Sequence, residues 1–225
     1  MAIKKGDFIE LDYTGKVAQT NEIFDLTDEK IAKENNVYDE KAHYGPVIVC
    51  VGENDLVKGL DNFIEGKEPG KYKVELKSDD AFGKRDNRLV KVFPTTTLRN
   101  MFQKQGYEIE PMPRMQVNIA GLVGLIKTVT GGRTLVDFNH PLAGKDLVYE
   151  IEIKRTIEDD KEKLIGYTRL YLDAETELNE GKAVIKIKED LPKGLKEKFS
   201  TNVKRLIPGI KEIAFEKITT ETKDQ

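Results

Sequence analysis

Tryptophan is absent from this chain, cysteine occurs once, histidine twice, and serine only at Ser78 and Ser200. The single cysteine, Cys50 in the apolar run VIVCV, excludes an intramolecular disulfide and reads as a small buried hydrophobe. With one Cys, and with His43 and His140 far apart in the chain, no structural zinc site is expected. Neither serine lies in a nucleophile-elbow pattern, so acyl transfer has no nucleophile at hand. There is no P-loop, and AGLVGL has the wrong glycine spacing for a dinucleotide fold, so no cofactor is expected. No apolar stretch reaches signal-peptide length or the roughly 20 residues of a membrane span, which makes a membrane partner unexpected and the cytoplasm the expected location. Net charge is −3, from 37 Lys and Arg against 40 Asp and Glu. The two signs are interspersed, whereas phosphate neutralisation needs clustered cations, so nucleic acid is not an expected partner.

What is present is charge and pattern. Charged residues make up 34% of the chain, against roughly 25% in an average globular protein, and 225 residues suffice for one large domain or two small ones. In GDFIELDYTGKV, Phe8, Glu10 and Asp12 alternate with Ile9, Leu11 and Tyr13, the period of a half-buried strand. KYKVELKS and LVYEIEIKR repeat the pattern with Tyr72, Val74 and Leu76, and with Leu147, Tyr149, Ile151 and Ile153. PVIVCVG is apolar throughout and β-branched, which predicts a central strand covered on both faces. NDLVKGLDNFIEGKEPGK places Leu56, Val57, Leu60, Phe63 and Ile64 at helical spacing, with Asn54 or Asp55 as cap and Gly66 as stop. One amphipathic helix across an antiparallel sheet is the expected core.

From about Arg85 to Gly132 the composition shifts. PTTTLRNMFQKQGYEIEPMPRMQV predicts a short helix, carries two nearby prolines and holds three of the four methionines, so it reads as an insert. Beyond Arg155, TIEDDKEK reads as a charged bridge. The tail then predicts two strands (YTRLYLD, KAVIKIK), a helix with Leu195, Phe199, Val203 and Leu206 on one face, and a last strand, IKEIAFEK. A unit of that size is near the lower limit of independent stability, which docking or dimerisation would relieve.

The remaining candidate constellation is apolar with few polar groups: Tyr13, Phe24, Asp25, Leu56, Val57, Phe82 and Tyr149. Taken alone, such aromatics are ordinary core material. The order of the short motifs DYTG, IFDLT, VGENDLVKGLDNFIEGKEPGKY, DDAFGKRD and VDFNHPLAGKDLVYEIEI resembles the FKBP-type peptidyl-prolyl cis-trans isomerases. Within them it is similar to the insert-in-flap type that includes SlyD and the long archaeal forms. The resemblance covers residues 1 to about 155, and the rest matches only the looser notion of an archaeal C-terminal extension.

The resemblance implies an α+β fold: an antiparallel sheet wrapped around a short helix in residues 1–85 and 132–155, a mainly β insert in the flap at 86–131, and a small α+β C-terminal domain at 156–225. It implies a proline pocket walled by Tyr13, Phe24, Val47 and Tyr149, floored by Leu60 and closed by Phe82, with Asp25 at its edge. Leu56 and Val57 would stand at the start of the helix, where the family's backbone N–H of the second residue binds a substrate carbonyl. Leu60 stands where many relatives have tryptophan, and Phe82 where they have tyrosine; both changes should weaken macrolide inhibitors. The metal-binding tail of SlyD is absent, so no metal is carried over. His140 and Leu142 are expected on the flap rim rather than in acid–base chemistry. In the insert, Met101, Phe102, Met112, Met115, Leu122, Leu125 and Ile126 are expected either to form a small core or to offer an adaptable surface to unfolded chains. The expected function is isomerisation of X-Pro bonds combined with chaperoning of unfolded polypeptide, the alternative being a binding-only holdase, with self-association through 156–225 as a further expectation.

Overall fold

The computed structural model describes residues 1–218; of the expected C-terminal segment, 219–225 lie outside the described residues. The chain divides into two compact units, 1–81 with 146–225, and 82–145. In the first, strands β1 (Phe8–Val17) and β2 (Ile23–Leu26) precede helix α1 (Glu29–Glu34), strand β3 (Val47–Cys50), helix α2 (Lys58–Ile64) and strand β4 (Gly70–Leu76). The second contains β5 (Val90–Pro94), α3 (Thr95–Lys104), β6 (Gln116–Ile119), β7 (Leu122–Thr130) and β8 (Arg133–Asp137). The first unit resumes with β9 (Leu147–Ile157), α4 (Asp160–Tyr171), β10 (Ala174–Asn179), β11 (Lys182–Ile187), α5 (Lys193–Leu206) and β12 (Glu212–Lys217). The architecture is α+β, and among the described residues no helix is long and apolar enough to cross a membrane.

The main sheet has the antiparallel order β2-β1-β9-β4, with β3 also on β1. The two longest partners run Phe8↔Ile157 to Val17↔Leu147, so apolar positions of both strands reach one face. That face holds Ile9, Leu11, Leu147, Ile151 and Ile153, each 3% exposed or less, and α2 adds Leu60 and Ile64, while Phe8 points to the opposite face. A Cβ on Gly59 would come within 2.8 Å of Leu76 Cδ2, so glycine lets α2 lie close against β4.

Four expectations need correction. The run PVIVCVG is not a central strand: β3 pairs with β1 alone, and its apolar character comes from α4 on one side. There Gly166 is so close to Ile48 that a Cβ would fall 2.3 Å from the Ile48 Cβ. The helix after it starts later than expected, with Val57 rather than Asn54 or Asp55 at its cap. Asn54 instead adopts φ +63°, and the Asp55 carboxylate accepts the Cys50 N–H at 2.9 Å. YTRLYLD is helix and not strand. Leu164, Tyr167 and Thr168 recur at helical spacing on the buried face of α4, while Tyr167, Arg169 and Tyr171 imitate strand alternation. The charged segment before it is the end of β9 and the capped start of α4, with Asp159 accepting from Glu162 N at 2.8 Å.

Residues 158–217 form β10-β11-β12 with α5 as the crossover between parallel β11 and β12. They share a buried cluster with the first sheet, in which Phe8, Cys50 and Ile157 join Leu164, Tyr167, Ile185, Phe199 and Val203. The inserted unit is an antiparallel sheet, β5-β8-β7-β6, with α3 over Phe102, Val117, Ile126 and Val136. The strand 133–137, placed by the resemblance in the isomerase segment 132–155, pairs with β5 and β7 inside this unit.

Candidate functional site

Strand register brings the first group together. Gly15 lies opposite Asp25 on one side and opposite Tyr149 on the other, so residues of β2 and β9 meet across β1. Tyr149 packs edge-on to Phe24 with centroids 5.7 Å apart and to Tyr13 at 6.1 Å. The Tyr13 hydroxyl donates to Asp25 Oδ2 at 2.9 Å. The gap they close over is at Gly15: a Cβ there would lie 2.7 Å from Phe24 Cζ and 3.0 Å from Tyr149 Cε1.

Electrostatics keeps this group neutral except at its edge. Burial first, then the Asp25 carboxylate, pushes the Tyr13 phenol well above its ordinary range, and burial does the same for Tyr149. Both rings therefore stay protonated at any physiological pH, and the charge of the site resides on Asp25, which is exposed. Such a surface suits an uncharged, apolar group with one polarised bond.

The other expected pocket residues are placed by neighbouring elements. Val47 begins β3, opposite Leu11 and so two residues along β1 from Tyr13. Leu56 and Val57 are half-buried just before α2, and the Val57 carbonyl accepts N–H groups from Leu60 and Asp61. Leu60 is 1% exposed. The turn that carries them is anchored by the buried Asp61, whose carboxylate accepts from Gly52 N at 2.8 Å and Asn54 N at 3.4 Å.

Phe82, His140 and Leu142 belong to the inserted unit. Phe82 and His140 stack at 4.2 Å with planes 5° apart, and His140 Nδ1 accepts the Leu142 N–H at 3.2 Å. The histidine thus shapes a turn. The methionine-bearing residues separate into classes: Phe102 and Ile126 are core, Met101 and Met115 pack against it, Leu125 is half-buried, and Met112 and Leu122 are 57% and 59% exposed. A groove between α3 and β6 is lined by Leu98, Met101, Phe102, Tyr107, Ile109 and Met115.

Over 153 residues the chain is 33% identical to a short-type peptidyl-prolyl cis-trans isomerase of Methanocaldococcus jannaschii, an alignment covering 68% of this chain and 92% of that relative. It is 31% identical over 128 residues to the FKBP-type peptidyl-prolyl cis-trans isomerase SlyD of Pasteurella multocida, covering 56% and 62%. The chain is an FKBP-type peptidyl-prolyl cis-trans isomerase.

In this FKBP-type isomerase, residues 100–142 match the family model described as FKBP26, IF domain. Among solved structures, the N-terminal domain of FKBP42 from Arabidopsis thaliana is similar over 70% of this chain and 77% of its own, at 12% identity and a TM-score of 0.34. Sequence reading of the isomerase missed Gly15, whose signal was present as the last residue of DYTG beside two aromatic-bearing strands. It also missed Val92, Tyr107, Ile109 and Val123, which are 59%, 58%, 44% and 60% exposed in the inserted unit. A count of methionines alone does not find β-branched and aromatic residues that face water.

Proposed function

We propose that Tyr13, Phe24 and Tyr149, with Asp25 at the edge and Val47, Leu56, Val57 and Leu60 around them, form the proline pocket of this isomerase. The observation that carries the reading is the Phe24 and Tyr149 rings over Gly15 with Tyr13 against Tyr149, and Asp25 oriented by the Tyr13 hydroxyl. Rotation about an X-Pro bond meets a barrier of about 18–20 kcal/mol that comes from amide resonance. The planar amide is more dipolar than the twisted one. An apolar wall that excludes water therefore destabilises the planar ground state relative to the transition state, and no proton transfer or covalent step is needed. A backbone N–H at Val57 holding the carbonyl before proline would keep one side of the amide fixed while the other turns.

The substrates are proline-containing polypeptides, and we assign to the inserted unit the capture of unfolded chains through its exposed apolar residues. Methionine and aromatic side chains at a water-facing groove adapt to many sequences, which supports that reading over a single-ligand site. Capture on the same chain as the pocket raises the effective concentration of prolines there. Phe82, His140 and Leu142 are assigned to the flap. We also place the protein in the cytoplasm, which suits its buried, unpaired Cys50, whose thiol burial pushes up to about 12. Self-association through the C-terminal segment is proposed from its outer strands β10 and β12, whose edges can add a strand from a second chain; sedimentation of the full chain over a range of concentrations tests it.

Replacing Tyr13 by Phe and Asp25 by Ala tests the pocket. Removing a hydrogen bond of this kind is expected to slow isomerisation of a short proline peptide about fivefold. Suppression of aggregation should not change. Unaltered peptide turnover in both variants would sink the pocket assignment.

A further inference from the structure

The turn between β3 and α2 carries Leu56 and Val57, and it is held from two directions. Asp61 of α2 anchors it from within, as described above. From the other side come two residues that lie more than a hundred positions away in the sequence. At the end of α4 the Tyr171 hydroxyl donates to Asp55 Oδ1, while the second oxygen of the same carboxylate accepts the Cys50 N–H. In the last turn of α5 the Arg205 guanidinium grips Glu53 with both terminal nitrogens, at 2.8 and 2.5 Å.

Neither residue is needed to fill the core. Tyr171 is 51% exposed, and the Arg205 side chain is 53% exposed. An exposed ion pair adds little to stability, but a bidentate guanidinium–carboxylate pair fixes direction as well as distance. Their footing is rigid: Tyr171 rests on Tyr167, 4.8 Å between centroids, and Tyr167 rests on Phe199 within the shared core. Glu53 and Asp55 are two residues apart on a turn with left-handed backbone at Gly52 and Asn54. Separate helices thus hold the two acids of that turn at two points.

We propose that Tyr171 and Arg205 are positioning residues for isomerisation: the C-terminal segment clamps the turn at Glu53 and Asp55 and so presents the Leu56–Val57 step to the peptide in a single geometry. This rests on the pocket reading above, because the clamp matters to substrate only if that step contacts it. The C-terminal segment then serves catalysis in each chain by itself, whatever its oligomeric state.

The test uses the full-length chain carrying Tyr171→Phe, Arg205→Ala, or the charge-reversed pair Glu53→Arg with Arg205→Glu, and a short proline peptide as substrate, with KM and kcat separated. Loosening the turn is expected to raise KM about threefold to tenfold in each single variant with kcat within about twofold. The reversed pair should return KM most of the way to the wild-type value. A merely structural role predicts instead a lower melting temperature with KM unchanged in the folded fraction, and that outcome overturns the proposal, as does failure of the reversed pair to improve on Arg205→Ala. Asp25→Ala measured in parallel separates the two readings. If it slows turnover while the clamp variants leave KM alone, the clamp is wrong and the pocket stands; if all are silent, both fall.

Discussion

Tyr149 and Met112 are both large side chains assigned to polypeptide substrate, yet Tyr149 is 4% exposed and Met112 57%. The difference follows from how each is mounted. Tyr149 sits near the start of β9, paired on both sides, and meets Tyr13 and Phe24 at angles set by strand register. Met112 lies between α3 and β6 in a stretch without regular structure, and its backbone N–H turns to the sulfur of Met115 at 3.2 Å. A surface built on register suits one shape, as the proposed proline pocket requires. One built on loops and thioethers accepts many shapes and holds each weakly, which is what capture followed by release requires.

The comparison breaks first at Gly15. Valine there would place methyl groups where the Phe24 and Tyr149 rings now lie, since even a Cβ meets Phe24 at 2.7 Å. Overpacking of that kind costs about 1–3 kcal/mol of stability. Displacing the walls by an ångström is expected to lower kcat/KM for a short proline peptide about a hundredfold. Aggregation suppression by the same variant should be unchanged, because the inserted unit has its own core. Full peptide turnover in Gly15→Val would detach the aromatic group from catalysis.

The converse change is a triple replacement of Met112, Leu122 and Val123 by serine. All three are more than half exposed, so the fold loses little by it. Acceleration of proline-limited refolding of a whole protein is expected to fall about tenfold as the capture advantage disappears. Turnover of the short peptide should stay as it was. Equal losses on both substrates would mean that the two regions are not separate in function.

Much of this division was legible in the residues. The alternation in GDFIELDYTGKV and LVYEIEIKR predicts β1 and β9, and the motif order around them leads to Tyr13, Phe24, Asp25 and Tyr149, three rings and one acid that the strands bring together. What escaped depended on contacts between distant segments. PVIVCVG owes its apolar run to a helix more than a hundred residues later, and nothing local distinguishes that cover from a second neighbouring strand. YTRLYLD satisfies both periods over so short a span, and packing against β3 decides for helix. Asp55 has the composition of a helix cap, but Tyr171 and the Cys50 N–H claim its carboxylate, so Val57 begins the helix. The clamp on the turn could not be read from spacing, since its members belong to three separate stretches of chain.

The smallest expected effect separates the two regions by their ion pairs. Glu53 with Arg205, and Glu110 with Arg99, are both two-point guanidinium–carboxylate contacts, but the Glu53 side chain is 22% exposed and that of Glu110 62%. In each, the hydrogen bonds from arginine hold the glutamate below the usual carboxylate range. A depressed acid stabilises the folded state above its unfolded pKa, and that contribution is lost as pH falls through the folded value. The melting-temperature difference between wild type and Arg205→Ala should therefore be constant around neutrality and shrink once the pH drops below about 4.3, the ordinary glutamate value. Arg99→Ala should give a smaller difference with the same sign, and one that moderate salt abolishes, because water and counterions already screen the exposed pair. A difference for Arg205→Ala that grew on acidification would have the wrong sign for a depressed carboxylate and would remove the Glu53 contact from the account of the turn.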